Sequence, residues 1–116
     1  MEVCIKLWLE QDGQVLFGEG RLQLLEALDR TGSLAGAARE LGMSYRAAWG
    51  RLRASEKRLG FALVERGEGG RRAMRLTPAA RRLMTGYAQV LAEARDFAQR
   101  AGRRLRDALA AGKDER

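Results

Sequence analysis

The chain has 116 residues, enough for one domain with a modest core, and 46% of them are hydrophobic. Twenty-two Lys and Arg against fifteen Asp and Glu give a formal charge of +7, which favours an anionic partner. With no histidine and one cysteine, Cys4, an intramolecular disulfide is excluded and the commonest metal ligand and general base are missing, so neither a metal site nor catalysis is expected.

Residues 3–9, VCIKLWL, alternate Val3, Ile5, Leu7 and Leu9 with Cys4, Lys6 and Trp8, the period of a strand. QDGQ supplies a turn and VLF a return strand, which predicts an N-terminal hairpin over 3–17. No basic start leads into an apolar run, and no stretch approaches the ~18 apolar residues of a membrane span. A cytoplasmic protein without membrane contact is expected.

From Gly20 the period changes. Leu22, Leu24, Leu25 and Leu28 line one face of a helix predicted over 20–31, with Gly32 at its C-terminal end. Ser33 stands as N-cap to a short helix whose Leu34, Ala37, Ala38 and Leu41 face a core through mostly small side chains. Gly42 closes that helix, and Ser44 caps a third running to about Leu59. Two helices joined by a Gly-containing turn of about three residues predict a helix-turn-helix over 33–59.

Residues 62–77 have β-prone ends, LVER and AMRL, around the Gly-rich GEGG and the pair Arg71 and Arg72, and read as a basic hairpin or wing. Thr77 followed by Pro78 opens a final helix predicted over 78–111. At ~1.5 Å per residue it runs roughly 50 Å, against a radius of gyration of about 13 Å for a compact globule of this size, so most of it is expected to leave the body. Along it Leu83, Tyr87, Val90, Ala94, Phe97, Ala101, Leu105 and Ala108 recur at coiled-coil-like steps. A bare apolar stripe is costly in water, so a homodimer through this helix is expected. The fold class that follows is mainly α (α+β), a single domain over 1–116.

Charge is concentrated in the middle of the chain. Residues 1–43 carry four basic and seven acidic side chains, residues 44–82 eleven and three, and residues 83–116 seven and five. On the third helix, Leu52, Ser55 and Leu59 fall within about 40° of Ala48 and form the buried face with it, which puts Arg46, Gly50, Arg53 and Lys57 on the opposite side. Glycine inside a helix costs ~1 kcal/mol relative to alanine, and close approach to a groove would justify it. Arg46, in the first turn, is the candidate to read guanine through O6 and N7.

The other candidates divide by role. For Lys57 a DNA contact and an ordinary solvated face both stand. Trp49 reads as packing, and Tyr45 either rests its ring on the second helix or gives its hydroxyl to a phosphate. Ser33 and Ser44 are caps first, with a phosphate contact as a second role. Arg66, Arg71 and Arg72, on the arm and tip of the wing, point to a neighbouring groove or backbone. No P-loop is present, GEGG is too short for a nucleotide fingerprint, and Glu2, Glu10 and Asp12 have no defined pocket, so no cofactor is expected.

These residues carry a family resemblance. LWLEQDGQVLFGEGRLQLLEALDRTGSLAGAARELGMSYRAAWGRL and then LVERGEGGRRAMRLTPAARRLM resemble the N-terminal region of ModE-type molybdate-responsive transcriptional regulators, over roughly residues 5–100. The more specific parts are GEGR opening the first helix, TGSL, SYRAAW and the Gly-rich wing followed by LT. The motif and wing are shared more loosely with LysR-type regulators, whereas the leading hairpin is not. The resemblance implies a winged helix-turn-helix that dimerises through its long last helix, with Ser44, Tyr45 and Arg46 entering the major groove and the wing touching flanking DNA.

Ala80 departs from the glycine often found after LT. Full-length ModE proteins also carry C-terminal oxyanion-binding domains, and no molybdate-binding domain is expected within this chain. The expected function is therefore a dimeric, sequence-specific double-stranded-DNA-binding transcriptional regulator. Two alternatives stand beside it: an interaction module that heterodimerises with a full-length regulator, and a charge-driven nucleoid-type binder with no preferred site.

Overall fold

The computed structural model describes residues 1–115. In chain order the elements are β1 (Trp8–Gln11), β2 (Gln14–Gly18), α1 (Glu19–Thr31), α2 (Leu34–Glu40), α3 (Tyr45–Leu59), β3 (Val64–Arg66), β4 (Met74–Leu76) and α4 (Pro78–Asp114). The fold is mainly helical with two small hairpins, a winged helix-turn-helix with a long last helix. By packing, the described residues group into two compact units, Trp8–Thr85 and a second made of Met1–Leu7 with the chain from Gly86 onward.

The first unit begins with the β1–β2 hairpin. Asp12 and Gly13, at φ 53° and 78°, close its two-residue turn in the left-handed region that such hairpins demand. Trp8 pairs with Gly18, Leu9 with Phe17, Glu10 with Val15 and Gln11 with Gln14, with a bulge between Leu9 and Glu10. Phe17 is fully buried. The hairpin is thus shorter than the 3–17 expected, because residues 3–7 pair with no strand.

Helices α1, α2 and α3 pack around Leu24, Leu25, Leu28, Leu34, Ala37, Ala38, Ala48 and Leu52, all buried. Leu63, Leu76 and Ala80 extend this core under the wing, and the methyl of Ala80 is fully enclosed. Gly32, at φ 76°, ends α1 by donating its N–H to Leu28 O at 2.8 Å. Ser33 Oγ then accepts the Gly36 N–H at 3.0 Å, the cap expected of it. Gly36 itself is required by space, since a Cβ there would lie 2.7 Å from Thr31 Cβ.

The turn between α2 and α3 is tied by Met43 N–H donating to Ala38 O at 2.9 Å, with Gly42 at φ 67°. Ser44 Oγ accepts the Ala47 N–H at 3.0 Å and starts α3. On the outside, Arg30 of α1 pairs with Glu40 of α2 at 2.7 Å, and that hydrogen bond holds the Glu40 carboxyl below its ordinary pKa. The wing strands pair Val64 with Leu76, Glu65 with Arg75 and Arg66 with Met74. Met74 N–H donates to Gly32 O at 2.9 Å and so fastens the wing to the α1–α2 corner. Thr77 Oγ1 donates to Ala62 O at 2.8 Å and accepts the Ala80 N–H at 3.1 Å, capping α4.

In the second unit, residues 1–7 keep the alternation seen in the sequence, with Val3, Ile5 and Leu7 half-buried and Glu2, Cys4 and Lys6 exposed. What covers the apolar side is helix α4. Tyr87 Oη donates to Leu7 O at 2.9 Å, and Val3 lies against Gly102. A period of two marks a one-sided extended segment and leaves open whether a strand or a helix covers it. Helix α4 runs 37 residues, to Asp114 rather than about 111.

Gly36→Ala is expected to destabilise the fold by about 1–3 kcal/mol through overpacking against Thr31, read as a fall in the urea midpoint at unchanged slope. A midpoint equal to the parent's would show that the α1–α2 corner yields freely.

Candidate nucleic-acid interface

Ala48, Leu52 and Ser55 seat α3 on the core, each 2% exposed or less. The opposite side of the helix is therefore fixed in solvent. Arg46, Gly50, Arg53 and Lys57 all lie there, exposed, as does Tyr45 at 50% in the first turn. Arg46 and Lys57 form no ion pair with any described residue. A Cβ added to Gly50 would meet nothing within 4 Å, so the glycine answers no need of the fold.

Arg53 differs from its neighbours. Its guanidinium sits 4.5 Å from the centre of the Trp49 ring and 3.2 Å from Glu56 Oε1. The other Glu56 oxygen accepts the Leu63 N–H at 2.8 Å, where the chain turns towards β3. Sequence reasoning leaves Glu56 out; its only signal is the (i, i+3) spacing from Arg53 on a helix. This carboxylate holds both the arginine and the entry to the wing.

Trp49, half-buried, lines two concavities. A groove of ≈ 760 Å³ separates the C-terminal half of α3 from the wing and brings together Arg53, Lys57, Arg66, Arg71 and Arg72 with Phe61 and Met74. A smaller one of ≈ 210 Å³, also lined by Trp49, gathers Ser33, Tyr45, Arg71 and Arg72. The wing arginines and the two helices of the motif thus converge on Trp49. Arg46, Gly50 and Ser44 line neither groove and occupy the open face of α3.

Arg71 and Arg72 are exposed in the wing loop, where Gly69 and Gly70 adopt φ 102° and 132°. Arg66 is exposed on β3, and Arg75 pairs with Glu65 across the wing ladder at 3.4 Å. Ser33 and Ser44 both spend their hydroxyls on caps.

On α4 the expected seam divides. Tyr87, Leu91 and Ala98 are buried, and Tyr87 bonds to Leu7 of the unit's own N-terminal segment. Leu83, Ala94 and Ala101 are half-buried, whereas Val90, Phe97 and Leu105 remain exposed at 50%, 51% and 49%. Leu109 is exposed as well. Among the described residues no helix is long and apolar enough to cross a membrane.

Comparison with known proteins agrees with this geometry. Residues 20–81, from α1 through the start of α4, match the model of the bacterial regulatory helix-turn-helix proteins of the lysR family. The chain is 40% identical over 83 residues to the molybdenum-pterin-binding protein MopA of Rhodobacter capsulatus, covering 70% of this chain and 31% of that protein. It is 31% identical over 104 residues to the molybdenum transport protein ModE of Azotobacter vinelandii, covering 88% and 38%. The chain thus spans about a third of the length of these relatives. Among solved structures, the CbnR_DBD–DNA complex superposes with a TM-score of 0.54 at 29% identity, over 78% of this chain and 95% of that one.

Because Gly50 is helical and unencumbered, Gly50→Ala is expected to stabilise the fold by about 0.5–1 kcal/mol. Thermal or urea unfolding measures this, and a loss of stability would mean that the glycine serves packing after all.

Proposed function

The chain belongs to the lysR family of bacterial regulatory helix-turn-helix proteins, and from that premise we propose that it is a homodimeric, sequence-specific regulator of transcription that binds double-stranded DNA in the cytoplasm. The observation that carries the reading is the row Arg46, Gly50, Arg53 and Lys57, opposite the seated face of α3. A helix about 10–12 Å across enters a major groove about 12 Å wide. Gly50 lets the helix axis come close to the base edges, and Arg46 reaches guanine O6 and N7 from the first turn.

The remaining residues position the helix. Tyr45 offers its hydroxyl to a phosphate, and the α3 amides beyond the Ser44 cap face the same backbone. Arg66, Arg71 and Arg72 take the wing to flanking DNA. Arg53 is held over Trp49 and by Glu56, so it enters the groove with little loss of side-chain freedom. The likeness to the CbnR_DBD–DNA complex, at the extent given above, supports a DNA partner.

Dimerisation through α4 rests on Val90, Phe97 and Leu105, exposed apolar side chains at intervals of seven and eight residues. Such a row is costly in water and is covered when the same helix of a second copy lies against it. Two recognition helices related by a two-fold axis then address half-sites about one helical turn apart.

Arg46→Ala is expected to weaken binding to a duplex selected by the protein from a randomised pool by about 5- to 150-fold, the equivalent of ~1–3 kcal/mol for a bidentate base contact. Binding to unrelated duplex should change far less. Equal losses on both duplexes, by fluorescence anisotropy at ~150 mM salt, would remove Arg46 from base readout.

Phe97→Asp tests the dimer. Analytical ultracentrifugation should report a monomer, and binding to the two-half-site duplex should fall to that of a single half-site. A dimer persisting at low micromolar concentration would contradict the seam.

A further inference from the structure

A second group of arginines, from α1 and α3, lies away from the row just described. Arg21 of α1 donates from Nε to Ser55 Oγ at 3.0 Å, and Ser55, 2% exposed, donates in turn to Arg51 O at 2.9 Å. Arg58 donates from Nη1 to Val15 O of β2 at 3.2 Å. Arg51 and Arg58 are exposed and Arg21 is half-buried. None of the three pairs with a carboxylate of the described residues.

This is an unusual arrangement for a surface that serves only the fold. Burial, and after it the fields of Arg58 and Arg51, lower the pKa of Arg21, so the group is electrostatically uncompensated as it stands. The buried serine and the β2 carbonyl hold two of the side chains in place. Their remaining N–H donors are left for an anion, and arginine's planar fork matches phosphate oxygens.

The position of the group says which anion. At about 100° per residue around α3, Arg51 and Arg58 fall about 120° and 100° from the centre of the Arg46/Gly50/Lys57 row, and Trp49, beside the wing arginines, falls about 80° the other way. A helix lying in a major groove has a sugar-phosphate backbone along each flank. The wing flank already presents Arg71 and Arg72. We propose that Arg21, Arg51 and Arg58 form a phosphate clamp on the opposite DNA strand, across the major groove from the wing. The clamp rests on the reading of α3 as the DNA-entering helix. It fixes the depth and tilt of α3 and carries no base information.

The test uses the full chain with a duplex that it selects from a randomised pool. In Arg51→Ala/Arg58→Ala, the slope of log K against log salt should fall by about 1.8, at ~0.9 for each phosphate that is no longer neutralised. The preference for the selected over an unrelated duplex should stay as in the parent. Phosphate-ethylation interference should vanish at positions on one strand in this variant and on the other strand in Arg71→Ala/Arg72→Ala. Arg51→Lys/Arg58→Lys should keep most of the slope. If the alanine variant melts without cooperativity, Arg51→Gln alone, at an exposed site, should still lower the slope by about 0.9.

A parental slope and interference pattern in the folded variants overturns the clamp, as does loss of binding to an acidic protein with DNA binding intact. Absence of any duplex preference in the parent sinks the regulator reading instead, and is seen before any variant is made.

Discussion

The structure depends on how α3 is seated. Ala48, Leu52 and Ser55 press one side of the helix into the core, and the α2–α3 turn is too short to let it roll. Everything assigned to the other side follows from that attachment. Small residues make it possible: Ala37 and Ala38 of α2 and Ala48 of α3 bring the helices close, and Gly36 admits Thr31 at a distance that no methyl could share. Had the seat been looser, the arginines of α3 would have no defined direction, and a groove-reading helix needs one.

Around that fixed helix the wing is held by two fastenings and closed by a third bond. Met74 bonds to Gly32 and Glu56 takes the Leu63 N–H while pairing with Arg53, and Thr77 bonds to Ala62 to join the two ends of the wing. Trp49 lines both grooves beside the wing arginines, with Arg53 over its ring. The wing and α3 thus present their charges as one surface. The same economy marks Ser55, a buried hydroxyl that both ends in the core and steadies Arg21.

Much of this is legible in the sequence where local chemistry decides the outcome. Ser33, Ser44 and Thr77 are caps as their positions announce, Gly32 ends α1 in the left-handed conformation, and the α3 faces fall where a 100° wheel puts them. What cannot be read depends on residues distant in the chain. Alternation at Val3, Ile5 and Leu7 tells of one buried side without naming α4 as its cover, so Tyr87 reads as part of a seam although it bonds to Leu7 eighty residues away. Arg21 and Arg58 offer no pattern at all, because their grouping requires α1 and α3 to be already packed. Trp49 reads as packing in the sequence, and its place in the lining of both grooves needs the wing to be in position.

The central claim is that α3 carries Arg46 to the base edges of a major groove. Protection of guanine N7 from methylation, on a duplex selected by the protein, tests it most directly, because N7 is exposed only in that groove. The account predicts two protected guanine positions, related by a two-fold axis and about one helical turn apart, with protection lost in Arg46→Ala while the protein remains bound. Full occupancy of the duplex by the parent chain with every guanine still methylated would contradict it.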